Sequence, residues 1–224
     1  MKVLSFDVGI KNLAFCLLNK NDRLIEDWGI LNICIDPICD HCHNNKRCDK
    51  SATFQCDNFK VCSSHQKLKK YSDKKWKKIP KCKNSILEVG KKMIKILDEK
   101  KAFLDVDVVI IENQPALKNP TMKTIQMMLY SYFLIKGVVI EQSDLNTIEM
   151  INARNKLKAY KGPEIVCDIK DKYKKTKFLG IEYCKKMIYE NHLIDEKWRD
   201  LFESSKKKDD LSDAYLQGMY YLGN

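Results

Sequence analysis

Lys2-Val3-Leu4-Ser5-Phe6-Asp7-Val8-Gly9-Ile10-Lys11-Asn12-Leu13-Ala14-Phe15-Cys16-Leu17-Leu18, residues 2–18, reads as two strands joined by a tight turn. Gly9-Ile10-Lys11-Asn12 supplies the turn, and Asn19-Lys20-Asn21-Asp22 supplies the next one before a third strand over 23–33. Three consecutive strands with short turns predict an antiparallel meander. Asp7 closes the first strand, and a carboxylate at the end of a buried strand is costly to desolvate unless it has a partner. Gly9, two residues on, allows close backbone approach to a phosphate as well as the turn.

A second acid has the same placing. Glu112 closes the apolar run Val106-Asp107-Val108-Val109-Ile110-Ile111, a strand over 106–112 suited to the centre of a sheet. Polar residues, Asn113-Gln114-Pro115, follow at once. Asp210 and Asp213 lie three residues apart at the start of a helical pattern over 208–222 and so share one helix face. Acids in a first turn also suit the helix dipole, and a strand-end acid can simply reach solvent. Together, however, Asp7, Glu112, Asp210 and Asp213 are the oxygen-donor set that holds hard cations such as Mg²⁺. Two cations roughly 4 Å apart would activate water and stabilise a leaving 3′ oxygen. Asp209 either substitutes for Asp210 or caps the helix.

The remaining elements alternate. A helix over 83–101 carries Ile86, Val89, Met93, Ile96 and Leu97 on one face. Asn119-Pro120-Thr121 opens another, which follows from Met122 to about Lys136, with Pro at its first position. A strand spans Thr147–Ile151, a lysine-dense stretch runs over 156–177, and helices follow at about 178–191 and 196–203. Antiparallel strands followed by strands alternating with helices predict an α/β mixed sheet flanked by helices, the order of the ribonuclease H-like fold.

From 34 to 80 apolar periodicity gives way to cysteines, histidines and lysines, a small inserted segment within a domain spanning 1–224. Cys39-x2-Cys42 and Cys62-x2-His65 have chelating spacing, and the 19 residues between the pairs suit a zinc ribbon. Cys39, Cys42, Cys62 and His65 are the expected structural zinc ligands, with Cys48 or Cys56 able to replace one. A closed zinc site would supply folding energy on the order of 10 kcal/mol to a stretch poor in apolar residues. The bland alternative, clustered reduced surface thiols, is a reactivity liability. Cys16, Cys167 and Cys184 lie in apolar patterns and are expected to be buried thiols.

The chain has 224 residues, 41 Lys and Arg against 30 Asp and Glu, and a formal charge of +11. That balance favours polyanions, nucleic acid before an acidic membrane surface. Nine lysines fall between Lys67 and Lys83, interleaved with Tyr71 and Trp76, as a phosphate-backbone surface would require; the aromatics could stack on bases or pack on the domain. Lys118, Asn119, Arg154, Lys156, Lys207 and Lys208 are candidate DNA contacts near the acids. No signal peptide, transit peptide or membrane-length apolar run is apparent. With ten cysteines, that points to an intracellular, reducing compartment and metal binding rather than a disulfide framework.

Phe6-Asp7-Val8-Gly9-Ile10-Lys11-Asn12-Leu13-Ala14, Ile111-Glu112-Asn113-Gln114-Pro115, Ile151-Asn152-Ala153-Arg154-Asn155-Lys156-Leu157 and Lys207-Lys208-Asp209-Asp210-Leu211-Ser212-Asp213-Ala214 resemble blocks of the Holliday junction resolvases of poxviruses and other large DNA viruses. Those are similar to mitochondrial and bacterial RuvC-type enzymes. The blocks fall in the family's order and span nearly the whole chain outside the cysteine-rich segment, which departs from the short poxvirus pattern. The resemblance implies a homodimer that cuts four-way DNA symmetrically with Mg²⁺ or Mn²⁺, Asp7, Glu112, Asp210 and Asp213 being its catalytic acids. It also implies action on viral genomes inside a host cell. The competing readings are an RNA-processing nuclease of the same fold, and a non-catalytic zinc-ribbon protein that binds nucleic acid.

Overall fold

The structure, a computed structural model, describes residues 1–34, 37–44, 46–79, 85–140 and 143–223. Two compact units form: Met1–Ile33 with Gly90–Asn224, and Cys34–Val89.

The larger unit opens with β1 (Lys2–Val8), β2 (Asn12–Asn19) and β3 (Ile25–Asn32), the expected meander. The third strand begins two residues late because Arg23 adopts φ 58°, a left-handed conformation that ladder residues do not take, while Asp22 Oδ1 accepts from the Leu24 N–H at 3.0 Å. The Gly9 turn is closed by Gly9 N–H donating to the Asn12 carbonyl at 3.0 Å. A Cβ at Gly9 would lie 2.7 Å from that oxygen, so no other residue fits without moving the turn.

In the smaller unit come β4 (Cys42–His43), β5 (Lys46–Arg47), β6 (Phe54–Cys56), β7 (Phe59–Val61) and β8 (Lys77–Lys78). β4 pairs with β5, and β6 pairs with both β7 and β8. α1 (Ile86–Glu99) follows, its residues from Gly90 onward belonging to the larger unit. Pro80, Lys81, Cys82 and Lys83, where the segment was expected to end and the helix to begin, lie outside the described residues.

β9 (Val108–Glu112) pairs parallel to β1 on one side and to β10 (Thr147–Ile151) on the other, giving a five-stranded sheet in the order β10-β9-β1-β2-β3. Between them α2 (Pro120–Phe133) continues as a π-helical segment, Leu134–Ile140, past its expected end. A 3₁₀ segment, Ala153–Ala159, follows β10. α3 (Lys172–Glu190) starts six residues before the apolar pattern indicated. Asp171 caps it by accepting from the Lys174 N–H at 2.7 Å, and its exposed lysine-rich first turns carry no apolar stripe. Cys167 precedes it in an irregular stretch and is half-buried, not the core thiol expected. α4 (Glu196–Ser204) and α5 (Lys208–Gly223) complete the chain.

Strand alternation sends Leu4 and Phe6 to one face, where Phe6, Phe15, Phe103 and Phe133 form an aromatic cluster with centroids 4.8–5.8 Å apart. Val3, Ser5 and Asp7 alternate to the other face, under α5. There Trp28 stacks on Phe202 at 5.7 Å and donates its indole N–H to the Leu211 carbonyl at 3.1 Å, fixing the first turn of α5. Gln217 donates to Ser5 Oγ and the Phe6 carbonyl, both at 3.2 Å. Gly218 lets the helix come this close: a Cβ would sit 2.6 Å from Leu18 Cδ1. No helix among the described residues is long and apolar enough to cross a membrane.

Candidate functional site

Register builds the acidic site. β1 and β9 pair Val3 with Val108, Ser5 with Ile110 and Phe6 with Ile111, so one step further brings Asp7 level with Glu112. Both acids continue the face that meets α5, and each stands where its strand ends. Fixed against this face by Trp28 and Gln217, α5 presents Asp213 to the same place. Glu112 also pairs with Ile151, the last residue of β10, and the 3₁₀ segment that follows delivers Lys156 into the acids. Lys156 Nζ donates to Asp213 Oδ2 and lies 3.6 Å from Glu112 Oε1. Its side chain is 11% exposed, as is that of Glu112.

The electrostatics follow from this crowding. Burial, then Glu112 and Asp213 beside it, hold the Asp7 carboxyl well above the usual carboxylate range, with Lys156 pulling the other way. Burial pushes Asp213 up to about 6 despite the Lys156 ammonium. For Lys156, burial works against the charged form, but Asp213, Glu112 and Asp7 outweigh it and raise the ammonium to about 12. Three carboxylates against one ammonium leave an excess negative charge that a divalent cation would neutralise, and all three present hard oxygen donors. In donor chemistry the residues suit Mg²⁺ or Mn²⁺, with Lys156 standing between Asp213 and Glu112; among the described residues only the cysteine-histidine group of the smaller unit brings three or more ligand atoms within 4.8 Å of one another.

Asp210 lies one turn earlier on α5, 3.4 Å from Asn12 Nδ2 and 3.6 Å from Lys207 Nζ. Asp209 is turned away to Lys177 at 2.6 Å, which holds its carboxyl low against the opposing effect of burial. Two positioning residues escaped the sequence reading. Gln114, buried, donates to Glu112 Oε2 at 2.7 Å and to the Val8 carbonyl at 3.3 Å. Gln126 of α2 accepts from the Gln114 backbone N–H at 2.9 Å. The block Glu112-Asn113-Gln114 contained the signal, since a glutamine two residues beyond a buried acid returns to the same face of an extended chain.

The expected DNA contacts separate. Lys118 and Arg154 are exposed. Asn119 caps α2, its side chain accepting from the Met122 N–H at 3.2 Å. Lys207 faces Asp210, whereas Lys208 is paired with Glu203 at 2.5 Å. Lys156 is no surface lysine but the internal counter-ion of the acids.

The smaller unit brings together Cys39, Cys48, Cys62 and His65, whose ligand atoms lie within 4.8 Å of one another. Cys42, expected as the fourth ligand, stands outside the group. It is exposed in the β4–β5 hairpin, paired with Arg47 across it. The hairpin is interposed between the ligands: Cys48 N–H donates to the His41 carbonyl at 2.9 Å, so the returning strand sets Cys48 beside Cys39. His65 Nδ1 is 3.4 Å from Sγ of both Cys39 and Cys62. Tetrahedral zinc with ordinary bond lengths requires roughly 3.5 Å between such donors. The Cys62 N–H donates to Cys39 Sγ at 3.3 Å, as suits a thiolate. Burial raises both thiols, but at Cys62 the N–H groups of His65 and Ser64 prevail and bring it below the usual value. Cys39, Val61 and Cys62 form a small core with Phe54, Phe59, Tyr71 and Trp76 packed on it, so both aromatics of the lysine-rich stretch are structural.

No protein-family model matches the chain. An uncharacterized protein of Acanthamoeba polyphaga mimivirus, L451, is 39% identical over 197 residues, 78% of this chain and 46% of that protein. The chain thus spans about half the length of this curated relative. Among solved structures, the yeast mitochondrial Holliday junction resolvase Ydc2 is similar with a TM-score of 0.56 and 17% identity, over 98% of this chain and 78% of that one. RuvC of T. thermophilus, in complex with a Holliday junction substrate, gives 0.51 and 8% over 98% and 92%. The chain has the ribonuclease H-like fold of these Holliday junction resolvases, to which it is similar in structure.

Proposed function

We propose that the chain is a structure-selective endonuclease that cuts four-way DNA junctions by metal-dependent phosphodiester hydrolysis. The observation that carries this reading is the convergence of Asp7, Glu112 and Asp213 at the ends of two strands and the start of a helix, with Asp210 one turn away. The shared fold of the resolvases and the charge of +11 support it. Asp7, Glu112, Asp210 and Asp213 would hold Mg²⁺ or Mn²⁺. Such bound cations supply activation of water and charge neutralisation at the leaving 3′ oxygen. Gln114 fixes the rotamer of Glu112, and Lys156 holds Asp213 and Glu112 against their mutual repulsion. Lys207, exposed and 3.6 Å from Asp210, would meet a phosphate.

A four-way junction cut symmetrically needs two such sites, hence a homodimer. The exposed apolar residues Leu134, Ile135, Val138, Val139 and Ile140, together with Met127 on α2, are its candidate interface. In the smaller unit, Cys39, Cys48, Cys62 and His65 would hold a structural zinc.

A labelled four-way junction, beside a matched linear duplex, tests the reading with Mg²⁺ present or chelated. Paired symmetric nicks in the junction alone, abolished by chelation and by Glu112→Gln, are expected. One observation favours a non-catalytic nucleic-acid-binding protein instead: Lys156 already pairs with the acids. Tight junction binding with no metal-dependent cut would establish that alternative.

A further inference from the structure

Beside the cysteine-histidine cluster lies an open hollow of about 490 Å³, lined by His41, His43, His65, Leu68, Lys69 and Lys70. Five of these six side chains are imidazoles or ammonium groups, and none is a carboxylate. Lys69 and Lys70 have no carboxylate partner among the described residues; Arg47 of the same unit is paired with Asp40 at 2.7 Å. Lys70 Nζ is held 5.1 Å from the centre of the Tyr71 ring.

The histidines are oriented by what surrounds them. His65 turns Nδ1 to the thiols of Cys39 and Cys62, 3.4 Å from each. A neutral imidazole that coordinates metal through one nitrogen carries its proton on the other. Zinc on Nδ1 would therefore make Nε2 a fixed N–H donor. The His41 ring stacks on His65, with centroids 3.8 Å apart and planes at 29°, and its Nδ1 is engaged by the Tyr71 hydroxyl at 3.0 Å. Ammonium groups and N–H donors without a carboxylate among them match a ligand made only of acceptors. A phosphate diester is such a ligand. Lys67, Lys74, Lys75, Lys77 and Lys78 extend the same sign along this unit, which favours a polyanionic chain over an isolated anion.

We propose that this hollow is a phosphodiester subsite for the nucleic-acid backbone, its donor set completed when zinc occupies the Cys39, Cys48, Cys62 and His65 cluster. It rests on the zinc reading and assigns the smaller unit a share in binding.

The chain has four histidines, three in this unit and His192 elsewhere, so ¹⁵N-histidine labelling of the full-length protein gives four rings with an internal reference. Long-range ¹H–¹⁵N spectra of the zinc-loaded protein should show His65 coordinated through Nδ1 and protonated at Nε2. Inorganic phosphate, and then a short DNA duplex, should shift His65 and His41 but not His192. Lys69→Ala/Lys70→Ala should keep one zinc per chain. It should lose the phosphate-induced shifts, weaken duplex binding on the order of tenfold at low salt, and reduce the salt slope by about one to two. Phosphate shifts without any effect of the double substitution on duplex affinity or slope would mean an adventitious ion only, and the proposal fails. It fails also if His65 coordinates through Nε2. A protein that holds no zinc sinks the metal reading and this site together, an outcome separable from the others by metal content.

Discussion

Replacing Lys156 by Met removes an ammonium while nearly preserving length and volume. In the structure that ammonium is bonded to Asp213 and lies 3.6 Å from Glu112, with the side chains of Lys156 and Glu112 11% exposed and that of Asp213 23%. Breaking one partner out of a buried ion pair typically costs about 3–5 kcal/mol, because the remaining charge is stranded. Here the acids can take up protons, so the lower end, about 3 kcal/mol, is expected in chelator at neutral pH. For a unit of this size that corresponds to a fall of roughly 6–12 °C in the melting temperature. A cation binding only the folded state at a hundredfold excess over its dissociation constant returns about 2.7 kcal/mol. Mg²⁺ should therefore raise the melting temperature of Lys156→Met more than that of the parent, and nearly restore it. The assay is thermal unfolding by circular dichroism, in chelator and across a Mg²⁺ titration. If the variant melts within about a degree of the parent in chelator, or gains no more from Mg²⁺, the counter-ion role assigned to Lys156 is wrong.

The zinc ligands are separable by metal content: Cys48→Ser should lose the bound zinc and Cys42→Ser should keep it, read with a chromogenic chelator after thiol modification. In chelator, stability should fall as pH rises through the interval from about 4 to about 6, because Asp213 binds a proton more tightly folded, at about 6, than at its ordinary value of 3.8. That destabilisation is absent below the unfolded value and complete above the folded one, and Asp7 adds to it in the same direction. Asp213→Asn should flatten the slope in urea unfolding, and an unaltered slope would contradict the burial assigned to this group. Gly218→Leu forces a side chain into Leu18 and Ser5, 2.6 and 3.3 Å from its first carbon, and should cost about 1–3 kcal/mol by denaturant midpoint.

Much of the fold was legible because its signals are local. The meander announced itself through two turns and alternating apolar residues, and β9 through an unbroken apolar run. Where local signals were mixed, boundaries moved. The first turns of α3 are lysine-rich and carry no stripe, so only the Asp171 cap marked its start, and Cys167 before it was assigned to a core that does not reach it. α2 runs on into a π-helical segment whose apolar residues are exposed, a departure that periodicity does not encode.

By itself the sequence determined that four acids stand at the ends of apolar elements and that cysteines and a histidine cluster with chelating spacing, since both facts are positions along a chain. Tertiary structure alone decided which of these groups meet. Parallel register set Asp7 level with Glu112, the packing of α5 brought Asp213 to them while turning Asp209 to Lys177, and a hairpin exchanged Cys42 for Cys48. Lys156 shows the difference most sharply. In the sequence it is one lysine among 41 basic residues; in the fold it is the ammonium buried among the acids. Desolvation and charge pairing depend on distances across the fold, and those are fixed by sheet register and helix packing between residues far apart in the chain.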